Sequence, residues 1–367
     1  MDTTRLFSLY ARISKRLVAS LILLFLMQIT TALADTQSER TAAKILHAKL
    51  ANEDPEALKA LKSVSNKDVV VVGGSMDHIE QVLDAANMRY TLVPPNQVAE
   101  LDLTADQIVM VNCPGHMPME SVERIERFVR AGGLLYTTDW ALKNVIEKAF
   151  PKTIKHNGQS TGDHVTPVHI KHVHHNLMSD MLLRANDQPQ WWLEGGSYPI
   201  SILDAQRVEV LAESKEMNSK YGAAPVVVRF PWHDGQVIHV VSHFYRQVKT
   251  KGEIQSAKDG VKALEGLTEE QKSSISAAPA ASANMGDVAS SYAFQRMTTN
   301  IVADKQKNKR SLDQKYRHKA KRRLNIGGRE LQEGERLKVI GQSGNKAKVR
   351  DDRGYEAEIS LEDLELR

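Results

Sequence analysis

The chain has 367 residues, enough for two folded units of ordinary size. Its 41% hydrophobic and 26% charged residues exclude a fibrous or wholly disordered protein. One cysteine, Cys113, excludes an intramolecular disulfide, so stability in an oxidising compartment must come from packed cores.

Residues 1–34 stand apart. Arg5, Arg12, Lys15 and Arg16 form a basic start, Leu17 to Ala34 is an uncharged and mostly apolar run, and Ala32-Leu33-Ala34 precedes Asp35. Positive charge, apolar stretch and small residues at that end predict a secretion signal peptide. The run is also nearly long enough to span a bilayer, so a retained membrane anchor is the other reading. Either way the charge distribution delivers the rest outward, predicting a periplasmic protein or one anchored to the inner membrane and facing the periplasm.

Residues 35–66 have helical spacing, with Ile45, Leu46, Leu50, Leu58 and Leu61 on apolar faces, and predict a helical lead-in. The period then changes. Val69-Val70-Val71-Val72-Gly73-Gly74 reads as a strand buried on both faces of a parallel sheet. A helix carrying Ile79, Val82, Leu83 and Ala86 follows, then strands at 90–93 and 107–112, a helix from Met119 to Ala131, a strand at 134–138 and a helix from Ala141 to Ala149. Alternating strands and helices predict an α/β fold with a doubly wound, mainly parallel, flavodoxin-like sheet. Further on, 208–211 is strand-like, and 225–230 with 235–241 has hairpin spacing that predicts an antiparallel extension of that sheet. The α/β domain is placed at 67–249.

Residues 250–285 read as a low-complexity linker, centred on Ala277-Ala278-Pro279-Ala280-Ala281-Ser282-Ala283. A helix at 286–304 is expected to pack back on the α/β domain. Between 305 and 323 lie ten Lys/Arg against one acid, Asp313, a local charge of +9 within a chain total of +4. It reads as a basic tether. The last segment, 324–367, alternates in short runs separated by Gly341-Gln342-Ser343-Gly344-Asn345 and Asp351-Asp352-Arg353-Gly354, which predicts a small, all-β, half-open barrel.

Two resemblances rest on these elements. Val70 to Gly74, Gln107 to Gly115, Phe128 to Leu135 and Gly235 to His243 resemble the class I glutamine amidotransferase-like superfamily, within it the non-glutaminase branch of trehalose-utilisation-type proteins. The last segment resembles a bacterial SH3-like module through Gly334 to Val339 and Ala347 to Arg350. The first resemblance implies a nucleophilic cysteine in a strained Gly-x-Cys-x-Gly elbow after the strand at 134–138. Here that position reads Thr137-Thr138-Asp139-Trp140. No thiol and no flanking glycine stands there, so neither glutaminase activity nor the strained elbow is expected, and Cys113 lies one strand too early to take the role.

Ligands of open α/β sheets bind beyond the carboxyl ends of the strands. That rule places a ligand crevice at Gly73, Gly74, Ser75, Asn112, Cys113, Gly115, Thr138, Asp139 and Trp140, with Asp139, His78 and His116 as acid–base candidates should they converge. Six of the thirteen histidines fall between 156 and 175. Of these His169, His172, His174 and His175 are spaced closely enough to converge on one metal ion, although the spacing matches no zinc signature and no HExxH helix is present. No cofactor is expected from the main reading; zinc or another divalent transition metal belongs to the rival one. Trp191 and Trp192 read as core wedges or as a sugar-stacking platform.

These readings combine into an exported, non-catalytic binding or assembly factor. Its expected partner is a cell-envelope component: a protein, a peptidoglycan fragment or an anionic lipid surface. Export argues against nucleic acid. The rival is a metal-assisted hydrolase or carbohydrate-modifying enzyme that uses the His-rich segment and the strand-end crevice.

Overall fold

The computed structural model describes residues 37–244, 250–251, 255–277 and 283–367. The leader expected at 1–34 and most of the alanine-rich stretch at 277–283 lie outside them. No helix among the described residues is long and apolar enough to cross a membrane.

Four valine- and leucine-rich strands, β1 (Val69–Val72), β2 (Thr91–Val93), β3 (Ile108–Val111) and β4 (Leu134–Thr138), form the parallel part of a sheet in the order β2-β1-β3-β4. Every residue of β1, β3 and β4 is buried, the pattern of strands covered on both faces by crossover helices. The helix Met119–Ala131 turns Val122, Ile125, Phe128 and Val129 inward and ends at Gly132, which takes φ +126°.

Five short strands follow in chain order: β5 (Ile154–His156), β6 (His164–Pro167), β7 (His169–Ile170), β8 (Gln190–Leu193) and β9 (Ile200–Ile202). Of these only β7 joins the main sheet. Then β10 (Glu209–Glu213), β11 (Pro225–Trp232) and β12 (Gly235–Val240) complete the eight-stranded order β2-β1-β3-β4-β12-β11-β10-β7. β12 pairs parallel with β4 and antiparallel with β11, so the expected hairpin extends the sheet as an antiparallel flank. The fold is α/β with a large mixed sheet, compatible with a flavodoxin-like arrangement.

The segment between sheet and C-terminus differs from expectation. Where a low-complexity linker was read at 250–285, helices run over Ala257–Lys262 and Glu269–Ala277, and they bury Ala257, Val261 and Ile275 in the main core. Small apolar residues at helical spacing outweigh the low-complexity look of the composition. The basic run is not a tether either. A single helix spans Met285–Lys315 and takes in the first eleven residues of that run, 305–315. Lys305 shows why: it is only 6% exposed, and its ammonium donates to the carbonyls of Ala105 and Gly132. Leu312 and Tyr316 pack with Ala105 and Ala131.

Beyond it lie β13 (His318–Ala320), the hairpin β14 (Leu324–Ile326) and β15 (Arg329–Leu331), then β16 (Arg336–Ser343), β17 (Lys346–Asp351), β18 (Glu356–Ser360) and β19 (Leu364–Leu366). Five of them make an antiparallel sheet in the order β18-β17-β16-β13-β19, over a small core of its own that includes Ile326, Leu337 and Val349. This unit is docked on the α/β domain. Tyr316 donates its hydroxyl to Ala131, Ala105 N–H donates to Asp352, Lys338 and Arg350 both reach Asp234, and Arg353 pairs with Asp102. Gly354, at φ +88°, lies so close to Arg127 that a Cβ would meet its carbonyl oxygen at 2.0 Å.

Two measurements follow. Gly354→Ala adds both a left-handed strain and a backbone clash, so it should cost about 2 kcal/mol and let a protease release the C-terminal sheet. Burial pushes the Lys305 ammonium down to about 7. Unfolded, a lysine titrates near 10.4, so between those values the unfolded chain binds more proton and stability rises with pH. The stability of the protein relative to its Lys305→Met variant, from urea unfolding, should therefore rise by about 2 kcal/mol between pH 7 and pH 9. A flat difference would show that the two carbonyls keep the ammonium charged.

Candidate functional site

Parallel pairing brings the loops after β1, β3, β4 and β12 to one edge of the sheet. The register aligns Val72 with Val111, Val111 with Thr137 and Thr138 with Val240, so the residues that follow converge. Cys113, Asp139 and His243 follow three of these strands and are 1%, 1% and 2% exposed. One ligand atom from each lies within 4.8 Å of the other two, a set chemically competent to hold a metal ion.

Asp139 carries the centre of the arrangement. It sits at φ +43° between β4 and the helix that starts at Ala141, so the strained elbow judged absent from the sequence is present in the backbone. Aspartate tolerates the left-handed region better than most residues, and its carboxylate is held from several sides. Tyr198 N–H donates to Oδ1 at 2.7 Å, Ser197 Oγ donates to Oδ2 at 2.9 Å, and His243 Nε2 lies 3.2 Å from Oδ2. The Cys113 thiol is 4.0 Å from the same oxygen, and Cys113 N–H donates to Thr138 Oγ1.

His243 is flanked on its other side by Glu194, whose Oε2 lies 2.6 Å from Nδ1. An isolated antiparallel bridge between Trp192 and His243 sets that contact, since it places the residue after β8 beside the end of β12. Burial opposes a charge on His243, but hydrogen bonds to Asp139, Cys113 and Glu194, with the charge of Asp77, hold it well above the usual histidine range. His239, on the same strand, is the contrast: burial is its sole influence, drives it down to about 3, and leaves a neutral ring hydrogen-bonded to Thr137. Burial likewise pushes the Cys113 thiol up, against the pull of His243.

A stack of aromatic rings adjoins this cluster through Tyr198, whose N–H reaches Asp139. Trp140 donates Nε1–H to Gly196 and stacks on Tyr198 at 5.3 Å between centroids; Tyr198 stacks in turn on His156 at 4.0 Å. Trp191 and Trp192 are buried, as the core-wedge reading has it.

The crevice read from the sequence divides into a surface and a hidden layer. Gly73, Gly74, Ser75 and Gly115 line an open cleft of about 610 Å³ with Leu92, Pro94, Pro95, Pro114 and His116. Gly74 is a glycine because a Cβ there would lie 2.1 Å from the Cys113 carbonyl oxygen. Asn112, Cys113, Thr138 and Asp139 are buried behind that surface. Asn112 is structural: it accepts from Ile79 N–H and donates to Glu80, fixing the start of the helix Ile79–Ala85. The acid–base candidates have separate surroundings. His78 pairs with Glu80 at 2.9 Å, His116 is exposed on the cleft, and Asp139 belongs to the buried cluster.

The histidines at 169, 172, 174 and 175 do not assemble as a metal site among the described residues. His172 and His174 are exposed, while His175 accepts from Leu177 N–H and lies 3.8 Å from Glu209. His169 sits in the short edge strand β7. Close sequence spacing in a turn-rich segment fans side chains outward. The residues missed were His243 and Glu194. The signal for His243 was its place right after a strand that pairs parallel with β4; Glu194 gave none.

No protein-family model matches the chain, and no curated protein does. Solved structures similar in part include a β-galactosidase from Bacillus circulans sp. alkalophilus, 13% identical, covering 82% of this chain and 41% of its own, with a TM-score of 0.38. The carbohydrate deacetylase Agd3 is 8% identical over 48% of this chain and 29% of its own, TM-score 0.35. A ThuA-like protein from Bacteroides uniformis ATCC 8492 is 12% identical over 48% of this chain and 82% of its own, TM-score 0.33. The chain thus spans less than half of the galactosidase and of the deacetylase.

Removing Asp139 takes away one of the two carboxylates that flank the buried His243 ring, the one on Nε2. Asp139→Ala should therefore lose roughly 3–5 kcal/mol in urea unfolding, and the double variant Asp139→Ala, His243→Leu should lose no more than the single one. Additive losses would mean that the pair is not coupled.

Proposed function

We propose that this chain is an exported, non-catalytic binding or assembly factor of the cell envelope, whose α/β domain offers its strand-end cleft to a peptidoglycan fragment. One observation carries the reading. The elbow position holds a 1% exposed carboxylate tied up by Ser197, Tyr198 and His243, while the open cleft beside it has His116 as its one titratable lining residue. Such a surface supports recognition better than bond cleavage. Leu92, Pro94, Pro95 and Pro114 give it an apolar floor with Ser75 and His116 as polar groups, which suits the two-faced character of a sugar–peptide fragment. An anionic lipid head group would call for several cations, and the lining has none beyond that histidine. The docked C-terminal unit, read as SH3-like, would act as the second contact surface. Two surfaces on one rigid body raise each other's effective concentration without a flexible linker.

The test is calorimetric titration of the exported, full-length protein with soluble muropeptides and with chitin oligosaccharides. Saturable binding without turnover is expected, lost when Ser75→Trp fills the cleft. Hydrolysis of any amide, ester or glycosidic substrate that disappears in Cys113→Ala or Asp139→Asn would overturn the reading, as would the absence of binding to both ligand sets.

A further inference from the structure

We propose that Cys113, Asp139 and His243 bind one zinc ion, with Glu194 orienting the histidine. Neither the cleft nor the docking of the C-terminal sheet requires this. It rests on the ligand types, their spacing and the partner on the far side of the imidazole.

A thiolate, an imidazole nitrogen and a carboxylate oxygen are the mixed donor set that zinc accepts. In a tetrahedral site with bonds of ~2.3 Å to sulfur and ~2.0 Å to nitrogen or oxygen, neighbouring donor atoms stand ~3.5 Å apart for sulfur and oxygen and ~3.3 Å for nitrogen and oxygen. The observed separations are 4.0 Å from Cys113 Sγ to Asp139 Oδ2 and 3.2 Å from His243 Nε2 to the same oxygen. The Cys113–Asp139 edge therefore needs to shorten by about half an ångström to close on an ion, while the His243–Asp139 edge already fits.

The second layer is already built. Glu194 Oε2 sits 2.6 Å from His243 Nδ1, the carboxylate–histidine contact that fixes the tautomer with Nε2 directed at a metal. Tyr198 N–H occupies Asp139 Oδ1, which leaves Oδ2 as the ligand atom, with Ser197 Oγ also on it at 2.9 Å. Zinc replaces the thiol proton and the Nε2 proton.

The experiment uses the full chain produced by export without a histidine tag. Elemental analysis should return about one zinc per chain, and cobalt exchanged into the site should show a thiolate charge-transfer band in the near ultraviolet. Cys113→Ser should abolish the band, and His172→Ala with His174→Ala should leave it intact. Should Cys113→Ser fail to fold, Glu194→Gln keeps every ligand and should weaken zinc binding roughly 10- to 100-fold. A folded wild-type protein that takes up no metal overturns the proposal. So does metal that persists in folded Cys113→Ser, or that is lost with His172 and His174.

Discussion

The contact of His243, almost wholly removed from water, with a carboxylate on each ring nitrogen is the interaction on which the rest of this site is arranged. Burying an imidazolium is costly unless opposite charge and hydrogen bonds surround it. Asp139 comes from the loop after β4, Glu194 from the end of β8, and the imidazole from the end of β12. The contacts therefore join three separate stretches of chain at one sheet edge, and Cys113 after β3 makes a fourth. Backbone strain at Asp139 is held in place by the same contacts, since its carboxylate fastens both Ser197 and Tyr198.

The bend after β4 turns the Asp139 carboxylate inward, where Ser197, Tyr198 and His243 hold it. The one thiol lies a strand away, where burial pushes its titration up against the pull of His243. The open cleft beside this buried layer is lined mainly by glycines and prolines.

Much of the sheet was legible because its signals are local. Val69 to Val72 and Leu134 to Thr138 are buried strands on composition alone, and the pair at 225–241 announces its own turn. The same locality misled over the basic run. Ten cations within residues 305–323 look like a solvated tether, but the long helix buries Lys305 against two carbonyls that belong to distant loops. Histidine clustering misled likewise, because nearness in sequence is a poor guide within irregular chain. Conversely His243 and Glu194 lie 49 residues apart, and only the Trp192 bridge brings them together. Pairing between distant segments is a tertiary fact that periodicity does not encode.

The docked C-terminal sheet has a geometric consequence for the whole molecule. Its anchor points, Ala105, Ala131 and Asp234, all precede the parallel strands they adjoin, whereas Cys113, Asp139 and His243 all follow theirs. The two regions are therefore opposite poles, separated by the length of a five-residue strand, roughly 17 Å. The sheet thus keeps its C-terminal docking face and its buried Cys113–Asp139–His243 cluster a full strand apart, so a change at one end reaches the other only through the strands themselves.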